Sequence, residues 1–178
     1  IRMSNKELLF RGRRLHYKIE GSGTPVVLIH GFGEDHSIWR RQIEVLSKKK
    51  QIIIPDIPGS GKSEDLDDDE INMEDFAEAI DKVIEAEKID QFILMGHSMG
   101  GYISLAYLEL FPEKIKALGL IHSTAFADSE TKKQNRKKFC CVSKHTPFDY
   151  VFFFLQSPCF FFQFIKHKYN FFKQIRNK

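Results

Sequence analysis

The sequence predicts an α/β fold, a mostly parallel sheet with flanking helices and an N-terminal antiparallel hairpin. Three observations predict it. Four short apolar runs recur, at residues 26–29, 52–54, 92–95 and 117–121, and all are rich in Val, Ile, Leu or Phe. Such unbroken runs suit strands buried on both faces of a parallel sheet. Between them lie segments with apolar residues at helical spacing, and Gly, Pro, Asn or Asp punctuates the junctions.

The elements follow in chain order. Residues 7–20 form two partly alternating runs separated by Gly12, the pattern of a hairpin, and Gly21, Gly23 and Pro25 end it. After the run at 26–29, Trp39, Ile43 and Leu46 keep i, i+4, i+7 spacing, with Asp35 or Ser37 available as cap. After the run at 52–54, Asn72 caps a second helix with Asp75 at its third position, and Met73, Phe76, Ala77, Ile80, Val83 and Ile84 make one apolar stripe. A third helix starts at Ser98 or Met99, runs through Ile103, Tyr107 and Leu110, and stops before Pro112. Beyond Ile121 no further alternation of strand, turn and helix is visible, so the later core strands are expected to be missing.

With 178 residues, 42% hydrophobic and 29% charged, the composition is that of one globular domain. No apolar run approaches the ~20 residues of a membrane span, and residues 1–10 lack the apolar core of a signal peptide. Cys140, Cys141 and Cys159 make neither an even disulfide framework nor a metal-ligand spacing. A reducing, cytoplasmic setting is the expectation. The net charge of +3 conceals an asymmetry: residues 1–129 carry 16 Lys/Arg against 22 Asp/Glu, and residues 130–178 carry 11 against 2. The second segment also holds 11 of the 17 Phe, so the chain divides into a core at 1–129 and a basic, Phe-rich segment at 130–178.

The chemistry is concentrated in Gly96-His97-Ser98-Met99-Gly100, a G-x-S-x-G string between a buried strand and a helix. A nucleophile at a sharp strand-to-helix turn needs small neighbours, which Gly96 and Gly100 supply, and the turn pushes Ser98 Oγ out above the carboxyl edge of the sheet. The helix that starts there offers free backbone N–H groups to an oxyanion. His30-Gly31-Phe32-Gly33 follows directly on the first parallel strand, which makes the N–H of Phe32 and the N–H of Met99 the two candidate oxyanion donors. Asp56 is read as a brace for its own loop, His97 and His30 as structural groups, and Trp39 and Phe32 as candidates for an apolar pocket, with a core role equally open to Trp39. Residues 60–63 are not a phosphate loop, because G-x-x-x-x-G-K-[ST] needs Gly where Asp56 stands, and the acidic run after Ser63 would repel a triphosphate.

With these residues in place, the sequence resembles the α/β-hydrolase family, in particular its esterase- and lipase-like members. The resemblance rests on three ordered motifs, His30-Gly31-Phe32-Gly33, the stretch from Asp56 to Ser63, and Gly96 to Gly101, and spans roughly residues 6–128. It implies an α/β-hydrolase fold and a serine hydrolase acting on a small apolar ester or similar acyl bond. No cofactor, metal, nucleic acid or membrane span is implied.

Serine needs a histidine base and an orienting acid, which the family places after later strands. The weak candidates here are Asp128 and His145; Asp149, His122 and His167 also follow Ser98. The acid and base are therefore expected to be absent from this chain. The alternative is a non-catalytic remnant or small-molecule binding module of the same fold. Residues 130–178 are read either as the start of a helical cap, with 152–155 and 160–164 as its apolar face, or as an aberrant tail from a shifted frame. In both cases the repeated Phe runs favour self-association when unpacked.

Overall fold

The computed structural model describes residues 4–68, 70–123, 150–154 and 163–165. Strands β1 (Ser4–Phe10) and β2 (Arg13–Glu20) form the antiparallel hairpin. Arg11 and Gly12 at its tip have φ of 48° and 76°, the paired positive values of a two-residue type I′ turn, whose twist matches that of the strands it joins. Then come β3 (Thr24–Ile29), a 3₁₀ turn (His36–Trp39), α1 (Arg40–Leu46), β4 (Lys50–Pro55), α2 (Met73–Ala86), β5 (Phe92–His97), α3 (Met99–Leu110) and β6 (Ile115–Ile121). The hairpin, the four parallel strands and the three helices anticipated from the sequence are present; the parallel strands extend up to two residues beyond their apolar runs, α3 keeps its expected bounds, and the first helix opens as a 3₁₀ turn before Arg40.

Caps set the helix boundaries. Asp35 accepts the Ser37 N–H at 2.7 Å, starting the 3₁₀ turn that leads into α1. At α2, Asn72 and Asp75 satisfy each other's backbone N–H groups at 3.0 and 2.8 Å, a reciprocal box that closes two otherwise orphaned donors.

The sheet order is β1-β2-β4-β3-β5-β6-β7-β8, where β7 (Tyr150–Phe154) runs parallel beside β6 and β8 (Gln163–Ile165) antiparallel beside β7. The sequence pattern assigned β7 and β8 no strand, because an unbroken Phe run has the aromatic content of a strand but no alternation to identify it. Pairing of β3, β4, β5 and β6 is parallel, and β2 joins β4 antiparallel.

The chain leaves β3 toward β4 and then crosses back to β5. Right-handed crossovers in opposite directions put α1 on one face and α2 with α3 on the other. Two apolar layers result: Val27, Ile29, Ile53, Leu94 and Leu118 pack under α2 and α3, and Val26, Leu28, Ile52 and Ile54 pack under Trp39 and Ile43. Each fully buried Ile, Leu or Phe contributes about 1.5–3 kcal/mol. The reversal of strand order between β3 and β5 opens a crevice at their carboxyl ends, where α/β sheets bind ligands. His30-Gly31-Phe32 leaves β3 at that point, and Ser98 leaves β5 beside it.

Candidate active site

Ser98 sits between β5 and α3 with φ 51° and ψ −115°, a backbone conformation that side chains rarely adopt. Its surroundings hold it there. The Ser98 N–H donates to the Ile121 carbonyl at 2.9 Å, tying the turn to the end of β6, and the Ser98 carbonyl accepts the Gly101 N–H at 3.0 Å. Glycine is required on both sides because the backbones touch: a Cβ on Gly96 would overlap the Gly100 carbonyl, and one on Gly100 would lie 2.6 Å from the His30 carbonyl oxygen. Met99 occupies the first position of α3, where helix geometry leaves the N–H without an intrahelical acceptor.

The His30-Gly31-Phe32-Gly33 loop lies directly against this turn. A Cβ placed on Gly31 would be 3.1 Å from Ser98 Cβ and 3.3 Å from the His97 carbonyl oxygen. Phe32 is 84% exposed, an uncovered aromatic ring at the rim of the crevice. Trp39, the other pocket candidate, is buried in the core under α1 with its ring edge-on to His97.

His30 is fully buried and links the loops. Its Nδ1 donates to the Gly31 carbonyl at 2.9 Å and its Nε2 accepts the Ile57 N–H at 3.1 Å, which fixes the neutral tautomer. Burial pushes this imidazole below its ordinary value against the raising pull of the Gly31 carbonyl and nearby carboxylates.

Asp56 does more than brace its own loop. One oxygen accepts the Lys62 N–H (3.1 Å) and His16 Nδ1 (2.8 Å), and the other accepts His36 N–H (2.9 Å) and His36 Nδ1 (2.8 Å). Burial drives its pKa up, but the hydrogen bonds outweigh that and hold the carboxyl below the usual range. His16, His36 and Asp56 are also the group within described residues whose atoms, all within 4.8 Å, could hold a metal ion. Each imidazole N–H already has Asp56 as acceptor, so the cluster is complete as a hydrogen-bonded brace, and a cation would have to displace those protons.

Sequence reasoning missed Glu34, His16 and His36. Glu34 Oε2 accepts the Gly31 N–H at 2.7 Å and His97 Nδ1 at 2.9 Å. His122, at the end of β6 with φ 48°, packs its ring 5.5 Å from His97. No side chain among the described residues hydrogen-bonds Ser98 Oγ. Asp128, His145, Asp149 and His167 lie outside the described residues. An open cleft of about 490 Å³ borders the site between the loop at 33–38 and the loop at 59–61, with Glu34, Asp35, Ile38 and Ser60 on its walls. No described helix is long and apolar enough to cross a membrane.

Residues 24–139 match the family described as alpha/beta hydrolase fold, and the chain belongs to that family. Among its relatives, it is 34% identical over 114 residues to (E)-2-((N-methylformamido)methylene)succinate hydrolase of Acinetobacter baylyi, covering 64% of this chain and 43% of that enzyme. It is 33% identical over 121 residues to 2-hydroxymuconate semialdehyde hydrolase of a Pseudomonas species, covering 66% and 43%. A solved esterase from Thermogutta terrifontis superposes with a TM-score of 0.67 at 29% identity, covering 75% of this chain and 50% of the esterase. The chain thus spans half or less of the length of these relatives.

Proposed function

We propose that Ser98 is the nucleophile of a hydrolase acting on a small, apolar ester or similar acyl bond. The observation that carries this reading is the φ 51°, ψ −115° turn of Ser98 between β5 and α3, at the crevice where the sheet order reverses. Strain of this kind is retained where it aims a side chain. Similarity to a solved esterase and to two named hydrolases supports the same chemistry.

In the reaction, Ser98 Oγ loses its proton to a histidine and attacks the acyl carbonyl. The N–H groups of Phe32 and Met99 hold the resulting oxyanion, a contribution on the order of 10²–10³ in rate per donor. Collapse of the tetrahedral adduct expels the alcohol, which takes the proton from the histidine, and water then releases the acid by the same steps in reverse order. A base and an orienting acid are needed besides, for which this sequence offers only the weak candidates His145 and Asp128. Exposed Phe32 supplies apolar surface for the acyl or alcohol portion. The site residues need no cofactor for this chemistry, and the partner is a small-molecule substrate.

The test is hydrolysis of p-nitrophenyl acetate by the full chain and by Ser98→Ala. Turnover that the substitution abolishes supports the enzyme. Folded wild-type protein with no more turnover than Ser98→Ala contradicts it and favours a binding module of the same fold.

A further inference from the structure

We infer that Glu34 is a positioning residue, holding the oxyanion loop in register with the nucleophile turn; this rests on the reading of Ser98 as nucleophile. Residues 31–34 form a tight turn in which the Glu34 N–H donates to the Gly31 carbonyl at 3.4 Å, and Gly33 has the φ of 72° that the third position of a type II turn requires. Such a turn leaves its first N–H unused. Glu34 curls back to take it: Oε2 accepts the Gly31 N–H at 2.7 Å. The same oxygen accepts His97 Nδ1 at 2.9 Å, so one atom joins the loop after β3 to the last residue of β5.

The consequence concerns Phe32. Its N–H is the next donor along the loop, and its direction depends on the peptide plane between Gly31 and Phe32. Gly31 has no side chain and Phe32 is exposed, so hydrogen bonds rather than side-chain packing set that plane. The Gly31 carbonyl, which lies in that plane, accepts Glu34 N–H and His30 Nδ1, and the carboxylate fixes the preceding plane through the Gly31 N–H, so Gly31 is held on both flanks. His97 is held in turn by the edges of Trp39 and His122, so the anchor is itself packed. Glu34 does not touch the reacting atoms; it acts through the loop.

The experiment compares the full chain with Glu34→Gln and Glu34→Ala. The rate constant and the half-saturation concentration for phosphonylation by an alkyl fluorophosphonate are measured alongside hydrogen exchange of the Gly31 amide by NMR. Gln keeps an oxygen that accepts both bonds; Ala removes it. Ala is expected to slow the maximal phosphonylation rate about 10–100-fold with half-saturation unchanged, and to speed Gly31 exchange at least about tenfold by freeing an N–H from its acceptor. Gln is expected to stay within about threefold of wild type on both readouts, since its amide oxygen replaces the carboxylate as acceptor. Wild-type rates in Ala, or a loss in Gln equal to that in Ala, would overturn the assignment. If wild type itself is not phosphonylated at Ser98, the nucleophile reading fails. Gly31 exchange is read independently of that: unchanged exchange in Ala overturns the brace, and faster exchange that Gln restores supports it.

Discussion

Replacing Asp56 by Asn keeps shape and volume and removes one charge from a fully buried position that accepts four N–H groups. Asn has one oxygen, so it can serve only one of the two donor pairs. With that oxygen toward His36, its NH₂ faces His16 Nδ1 and the Lys62 N–H. His16 can adapt by moving its proton to Nε2, which lies 3.4 Å from Asn5 Oδ1, but the Lys62 N–H cannot. One bond to a charged acceptor, about 1.5–3 kcal/mol, is lost outright, and the two kept at His36 fall to neutral strength, about 1 kcal/mol each. The expected loss at pH 7 is about 3–5 kcal/mol, the lost bond together with the weakening of the two kept at His36. Urea denaturation of wild type and variant measures it, with equal m-values as the check that only stability changed. Because the folded-state pKa is depressed, the carboxylate's stabilisation is present above the unfolded value and is lost as pH falls through the folded one. The gap between the two proteins should therefore narrow below about pH 4. A cost under about 1 kcal/mol at pH 7, or a gap constant across that window, would refute the assignment of Asp56 as the charged hub of this cluster.

Gly96→Ala should cost about 1–3 kcal/mol through its overlap with the Gly100 carbonyl, measured by the same denaturation, and should lower ester turnover further by displacing Ser98. The His30 imidazole should titrate by NMR below an exposed histidine; since burial lowers its folded pKa, stability is full above about pH 6.5 and declines as pH falls through that value toward the folded one. Asn72→Ala should remove about 1 kcal/mol by opening the α2 capping box, seen as a lower denaturation midpoint. Phe32→Ala, at an exposed ring, should raise KM for aryl esters severalfold while leaving the unfolding free energy within about 0.5 kcal/mol of wild type.

What was legible in the sequence was whatever short-range patterning specifies. Asn72 and Asp75 announce a helix start by their spacing, and the structure places the reciprocal box there. The run at 92–95 followed by Gly96 to Gly100 announces a buried strand and a close turn, and the backbones do touch at those two glycines. Glu34 and His16 carried no such signal. Glu34 acts across 63 residues of chain on His97, and His16 across 40 on Asp56, so neither partner could be paired from local pattern. His16 sits in mid-strand between the buried Leu15 and Tyr17, but the strand also carries Arg13, Arg14, Lys18 and Glu20, so nothing in the sequence set His16 apart as the one facing a buried acceptor. The Phe-rich residues of β7 pair with β6 through main-chain groups, which residue type encodes weakly.

Hydrolysis at this site requires Ser98 to be an accessible, activated hydroxyl. Reacting the intact chain with a fluorophosphonate, digesting it and sequencing the labelled peptide by mass spectrometry addresses that directly. A single phosphonyl group on Ser98, lost when the protein is unfolded before reaction, is the expected result. Folded protein that stays unmodified, or an adduct mapping to any other residue, would contradict it.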